Sequence, residues 1–212
     1  LNGNTTGVVN AATVATLTGA ASAMNTAYTA GGNSEISGLG NEAITLDDTT
    51  LAVATLNTLD GNTTGAVNAG TVTTLTGAAA AVITTYDSSG ISGLGNEKLT
   101  LSGSTSVANA NTLAADTTGV ITATITETDA ATLATLTETT NAYTITVGDS
   151  SVTAANLNTI DGATTVAVKA KAVTTITGAA SAVNTAYASS GINDLGNEAI
   201  TLDDTTLAVA TL

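Results

Sequence analysis

The side chains able to do chemistry in this 212-residue chain are carboxylates, hydroxyls and little else. Acidic groups recur at matching places: Glu42 with Asp47 and Asp48, Glu97, and Glu198 with Asp203 and Asp204. Paired carboxylates can share general acid and base work. Clustered Asp and Asn oxygens can also collect the roughly six to eight ligands that calcium prefers. Neither arrangement has its usual surroundings, because the EF-hand loop and the Gly-Gly-x-Gly-x-Asp repeat of calcium-binding secreted proteins are both missing. Every acidic candidate also belongs to a repeated segment, which favours scaffold over active site. No residue is therefore singled out as catalytic, cofactor-binding or metal-ligating, and calcium is the one cofactor left open. The carboxylates are expected to cap helices and solvate a polar edge.

Composition removes most other chemistry. The chain has 17 acidic residues against 3 basic ones, all Lys, and no His, Cys or Arg. Without imidazole or thiol it lacks the common bases and nucleophiles. Without guanidinium it lacks the bidentate clamp for phosphate. A net charge of −14 repels nucleic acid and anionic membranes. The segment Asp60-Gly61-Asn62-Thr63-Thr64-Gly65 reads as a turn, and no Lys-Ser/Thr follows to make it a phosphate loop. Thr-x-Thr occurs at Thr122, Thr124 and Thr126 and at Thr144 and Thr146. Two strands are too few for an ice-binding ladder, and outward Thr is simply a good strand former. Lys169 and Lys171 are expected on one face of a strand, as a solvated edge that discourages wrong pairing.

These groups sit on a simple alternation of elements. Val14, Leu17, Ala21, Met24 and Tyr28 are spaced 3, 4, 3, 4, and so are Val72 to Tyr86 and Val173 to Tyr187. That spacing predicts a helical stripe of about four turns. Tyr28, Tyr86 and Tyr187 should pack at its end with their hydroxyls at the surface. Gly19, Gly77 and Gly178 inside the stripe mark a helix start or a close backbone approach. Gly90 and Gly191 are placed to stop the helix. The alternating Ile44-Thr45-Leu46, Leu99-Thr100-Leu101 and Ile200-Thr201-Leu202 read as half-buried strands. Asp47 and Asp48, Ser104 to Ser106, and Ser150 and Ser151 should cap the helices that follow them. Leu56 and Leu59, and Val152 with Ala155 and Ile160, would face inward. Further strands are expected at 67–69, 121–125, 143–147 and 166–170, and Asp129 should cap a short helix carrying Leu133 and Leu136.

The elements repeat. Leu39 to Leu56 and Leu195 to Leu212 are identical throughout, at an offset of 156. Within that period the motif beginning Leu1-Asn2-Gly3 returns at Leu59, Leu113 and Ile160, with an insertion between Tyr28 and Ile36. This divides the chain into repeat 1 (1–58), repeat 2 (59–112), a divergent shorter repeat 3 (113–159) and the start of the next long period (160–212). Each repeat is read as two strand–helix units. The fold class expected is an α/β solenoid, tandem strand–helix units with a parallel sheet on one side, continuous through all four segments. The alternative is a β-helix in which the Ala-rich segments are loops and strands. Leu212 corresponds to Leu56 and Leu1 to Leu59, so neither end reads as a polar cap, which suggests a piece of a longer array. No stretch approaches the length of a membrane span, and the first residues show neither the basic start nor the apolar block of a leader.

The run Leu157-Asn158-Thr159-Ile160-Asp161-Gly162, the segment Val173 to Ala180 and the Gly-Ile-x-x-Leu-Gly-Asn-Glu element resemble repeats of very large secreted surface proteins of bacteria, with cyanobacterial Ala/Thr/Gly-rich examples closest. The resemblance implies an extracellular or cell-surface location and a structural or adhesive task. The expected function is a non-enzymatic structural repeat protein that forms or extends a fibre, sheath or surface layer by rung stacking. An adhesin stalk presenting a distant binding domain is the alternative. The partners expected are further repeats or copies of the same array and neighbouring surface or matrix polymers, with no nucleic acid and no membrane insertion.

Overall fold

The computed structural model describes residues 2–208, so the reading of Leu1 and Leu212 as uncapped ends lies outside the described residues. The chain forms two compact units, Leu1–Ser102 with Asp116–Gly119, and Gly103–Ala115 with Val120–Leu212. Both are α/β, with small parallel sheets and intervening helices. In the first, β1 (Val9–Asn10), β2 (Thr16–Gly19) and α1 (Ala21–Gly32) precede β3 (Ile36–Ser37), β4 (Ala43–Leu46), β5 (Thr50–Ala52) and α2 (Val53–Asn62). Next come β6 (Val67–Asn68), β7 (Thr74–Gly77), α3 (Ala79–Asp87), β8 (Ile91–Ser92) and β9 (Lys98–Thr105), the last shared by both units. The second unit continues with α4 (Val107–Asp116), β10 (Ile121–Ile125), α5 (Ala130–Leu133), β11 (Ala142–Thr144), β12 (Ser151–Thr153) and α6 (Ala154–Gly162). It closes with β13 (Val168–Lys169), β14 (Thr175–Gly178), α7 (Ala180–Ala188), β15 (Ile192–Asn193) and β16 (Ala199–Leu202).

One register organises the pairing. Leu75 lies between Leu51 and Leu99, at the same separation along the chain from each, and Ile176 lies likewise between Val152 and Ile200. In these two stretches the chain therefore advances in strand–helix steps of equal length, the interval from Leu51 to Leu75, whereas the step that sets Thr122 beside Ala142 is shorter. Helices between the strands remove the β-helix alternative, because the Ala-rich segments are α1, α3 and α7. The first step, in which Thr16 faces Ala43, is longer. Its insertion lengthens α1, which has 12 residues against 9 in α3 and α7.

Small apolar side chains fill the interior of each step. Strands alternate, so that Ile44 and Leu46 are buried while Thr45 is exposed. Helices turn every third residue inward: Val53, Leu56 and Leu59 in α2, and Ala154, Leu157 and Ile160 in α6. Fully burying a side chain of the Leu class is worth about 1.5–3 kcal/mol, and many such positions recur along the steps.

Several expectations need correction. The 3–4 stripe is not one helix: Leu17 lies in β2, and only Ala21, Met24 and Tyr28 lie in α1. An inward turn residue, an inward strand residue and the first inward helix residue happen to fall at helical spacing. Gly77 ends the strand with φ of 154°, and a β-carbon there would collide with Val53 Cγ2, so only glycine lets the strand pass the helix of the preceding step. Gly90 is not a left-handed helix stop; its backbone lies against the Asp60 carboxylate. Val152 is buried but belongs to β12, and Ala155 is exposed. The strand expected at 166–170 is only Val168–Lys169, with exposed Lys171 in the turn beyond it. Asp129 does cap α5, its Oδ1 accepting from Thr132 N at 2.8 Å.

Capping also works across steps. Asp48 does not cap α2, from which β5 separates it; its Oδ2 accepts from Ala21 N at the start of α1, 2.8 Å away. Asp204 does the same for Ala180, Asp149 for Ala130 and Glu127 for Val107. A carboxylate there satisfies an open N–H and meets the positive end of the helix dipole. Ser106 caps α4 as expected, but α6 is capped by Thr153 rather than by Ser150 or Ser151.

An asparagine on one helix also donates to a backbone carbonyl further along the chain: Asn25 to Thr55, Asn57 to Ala81, Asn111 to Thr135 and Asn158 to Ala182, at 2.9–3.0 Å. The other amide atom of Asn57, Oδ1, accepts from Thr85 Oγ1 at 2.7 Å. The buried Oδ1 of Asn158 has no partner among the described residues, because Ala186 stands where α3 has Thr85. Ala186→Thr should supply the missing donor and stabilise the fold by about 1 kcal/mol. Thr85→Ala should cost about 1–3 kcal/mol. Urea unfolding of both variants checks this, and an Ala186→Thr midpoint below wild type would refute it.

Candidate functional site

The Leu-Gly-Asn-Glu element builds the most chemically distinctive place in each of its three copies. The end of α1 carries Tyr28, and Glu42 precedes β4. Tyr28 OH donates to Glu42 Oε2 at 2.8 Å, and Gly40 N donates to the same oxygen at 2.9 Å. Tyr86 and Gly95 hold Glu97 in the same way, both at 2.8 Å. Tyr187 and Gly196 hold Glu198, with a further bond from Asn197 N. Glu42 and Glu97 are fully buried. This overturns the expectation of a solvated edge for these two glutamates, while Asp47 and Asp203 are exposed as expected, and the tyrosine hydroxyls turn onto carboxylates although Tyr187 itself is 40 % exposed. A buried carboxylate requires donors, and the phenol and the glycine amide provide them. The Oε1 atoms of Glu42 and Glu97 accept no bond from the described residues.

The following step clasps this pair from the backbone side. Thr63 Oγ1 donates to the Glu42 carbonyl at 2.8 Å, and Thr117 Oγ1 to that of Glu97 at 2.8 Å. Gly65 N and Gly119 N donate back to those hydroxyls. A β-carbon at Gly65 or Gly119 would overlap the glutamate carbonyl, so the motif Thr-Thr-Gly ends in glycine to admit the close approach. The segment read as one turn is thus divided: Asp60–Asn62 finish α2, and Thr63–Gly65 form the clasp. Asp60 and Asp161 add a cross-step bond, accepting from Ser88 and Ser189. In the divergent repeat Tyr143 replaces the glutamate. Thr164 Oγ1 donates to its carbonyl, and its hydroxyl accepts from Asn141 Nδ2.

The electrostatics follow from burial and these bonds. Burial raises the Glu42 carboxyl, but the Gly40 amide and the Tyr28 hydroxyl outweigh it and hold it below the usual value. Glu198 is lowered for the same reasons, its burial offset by Tyr187 and Gly196. Burial, then the partner carboxylate, pushes Tyr28 and Tyr187 up to about 12 and raises Tyr86 as well.

The other candidates are scattered. Among the described residues no three acidic side chains gather as a metal set. Asp48 and Asp204 are engaged with helix starts. Exposed Thr124 pairs with Thr144, and Thr146 bridges to Lys169. Outward Thr-x-Thr is more widespread than the two strands singled out. Thr16 and Thr18, Thr74 and Thr76, and Thr175 and Thr177 repeat it, with Thr18 beside Thr45, Thr76 beside Thr100 and Thr177 beside Thr201. The sequence Thr-Leu/Ile-Thr-Gly was the available signal. An apolar groove of about 610 Å³ lies along Val53, Gly77, Ala81 and Leu101. A matching one of about 500 Å³ lies along Ala155, Gly178, Ala182 and Leu202, so the groove is a feature of the repeat.

No family model, characterised protein or solved structure matches the chain. Among the described residues, no helix is long and apolar enough to cross a membrane.

Two outcomes follow from the Tyr–Glu pairs. Tyr86→Phe leaves Glu97 short of a donor and should cost about 1–3 kcal/mol in denaturant unfolding; an unchanged midpoint would exclude a role for the bond. Stability should also depend on pH at both extremes. The lowered Glu42 and Glu198 contribute stability that is present above the ordinary carboxylate value and lost as pH falls through their folded values. The raised Tyr28 and Tyr187 contribute stability that is full below 10 and lost as pH rises through about 12. Melting temperature against pH should plateau between these limits, and a flat profile into strong acid would contradict the pairing.

Proposed function

We propose that the strand–helix steps are turns of an α/β solenoid and that the chain is a stretch of an extracellular structural repeat protein, forming or extending a fibre, sheath or surface layer by stacking one turn on the next. The observation that carries this reading is the recurrence of the Glu–Thr clasp, in which a glutamate has its buried carboxylate held by Tyr and Gly of its own step and its backbone carbonyl held by a Thr hydroxyl of the following step. The carbonyl half of the clasp joins one step to the next. Stability in arrays of this kind comes from each repeat and its contact with the next.

Several other features support the reading. The acidic charge keeps an exposed array soluble and repels nucleic acid. The resemblance to secreted bacterial surface repeats favours the extracellular location. Asp48, Asp149 and Asp204 bond helix starts of a neighbouring step, and Asp60 and Asp161 accept from serines of the next.

Covalent tandems of the long period test the proposal by electron microscopy. Particles should lengthen in proportion to the number of periods. Compact particles that thicken without lengthening would sink it.

A further inference from the structure

The sequence singles out two strands bearing outward Thr-x-Thr, and the structure sets the pattern in register across neighbouring strands. In the first unit Thr50, Thr74 and Lys98 lie side by side on β5, β7 and β9, and Ala52, Thr76 and Thr100 form the next row. In the second unit Ser151, Thr175 and Ala199 lie side by side on β12, β14 and β16, with Thr153, Thr177 and Thr201 as the next row. Leu75 and Ile176, which stand between the rows, are buried, so both grids face outward. Another strand joins a sheet in its own plane, so a preceding or following step would lengthen these rows and leave their outer surface uncovered.

The hydroxyls of these grids are used differently from those of the helices. Thr58, Thr84, Thr159 and Thr185 each donate to the carbonyl four residues back, at 2.7–3.0 Å. In the grids Thr74, Thr76, Thr100, Thr175 and Thr201 have no side-chain partner among the described residues, Thr153 accepts from Asn156 N, and Thr177 makes one long contact of 3.5 Å to the Val152 carbonyl. Nor does any carboxylate stand in either grid, in a chain with 17 acidic residues. The acids lie elsewhere, Asp48 and Asp204 against helix starts and Asp60 and Asp161 in the last turns of α2 and α6. Lys98 is the one charge in the two grids.

We propose that this outward strand face is an ice-binding surface. Neighbouring strands are about 4.8 Å apart and successive outward residues of one strand about 6.6 Å apart. These two repeats are close to those of the oxygen positions on a prism face of ice. Threonine methyls order the water in the troughs between rows, and unbonded hydroxyls hold that water in place. A neutral crystal suits a face from which the acidic charge is excluded. A sugar polymer would need exposed rings to stack on, and no aromatic side chain stands in either grid; a basic protein would need carboxylates there. The inference goes beyond the array reading and does not depend on it, because each grid lies within one unit.

Thermal hysteresis and inhibition of ice recrystallisation by the full chain test this. Wild type should show both, with hysteresis rising with protein concentration. Thr76→Lys combined with Thr177→Lys sets a long charged side chain in the middle strand of each grid and should abolish both effects with circular dichroism unchanged. Thr76→Gln with Thr177→Gln, neutral and longer, should lose them as well and decides the matter if the lysine pair unfolds. Thr58→Lys with Thr159→Lys makes the same change at exposed helical threonines and should behave as wild type. A wild type without either effect overturns the inference. So does a folded strand-face variant as active as wild type, or a helix-face variant that loses as much. Covalent tandems that lengthen under the microscope but leave ice growth unaltered would reject this inference and leave the array reading standing.

Discussion

A parallel register that returns at the interval from Leu51 to Leu75 is the constraint on which everything else depends. It sets each strand beside its counterpart in the next step, so Leu75 meets both Leu51 and Leu99. A short strand or helix leaves backbone and side-chain polar groups open, and burying them unpaired is costly. Here the next step closes them. A carboxylate one step ahead bonds the first amide of α7 or α1, an asparagine reaches a carbonyl of the following helix, and a threonine hydroxyl reaches back to a glutamate carbonyl. Strands as short as β1 and β4 would be marginal alone.

The same register explains the narrow alphabet. Where one step passes close to another, only small residues fit, and Gly65, Gly77 and Gly119 each stand where a β-carbon would collide. A thin interior filled by Ala, Val, Leu and Ile has little use for large rings, which suits a chain whose only aromatics are four tyrosines. Three of these four serve as much through their hydroxyls as through their rings. Threonine, with 48 positions, answers two needs: it favours strands on the outward face and supplies hydroxyls to neighbouring carbonyls.

The alternation of strand and helix was legible because Ile44-Thr45-Leu46 and its copies carry a period of two, whereas the equal interval between steps was not, because the insertion before Ile36 and the shorter third repeat blur the spacing. Boundaries were harder. Leu17 and Ala21 both point inward from different elements, and no pattern in one sequence distinguishes that from a continuous helical stripe. The Tyr–Glu pairs were half visible. Both residues recurred in every good copy, but a bond that crosses a helix end and a turn, as from Tyr28 to Glu42 or Tyr86 to Glu97, has no local signature. Asp48 looked like a cap and is one. Its target lies behind it in the chain because the register, not sequence adjacency, decides which helix start it meets. The asparagine bonds left no trace in periodicity, because Asn25, Asn57 and Asn158 flank the apolar stripe rather than belong to it.

Stability that comes from the following step should make identical sequences behave differently according to what lies beyond them. Native-state amide exchange at Ile44 and Ile200 measures this directly, in dilute monomer, within two segments of the same sequence. The Ile44 amide, bonded to Ala66, should exchange far more slowly than that of Ile200. Equal exchange at the two positions would contradict the dependence of each step on the next.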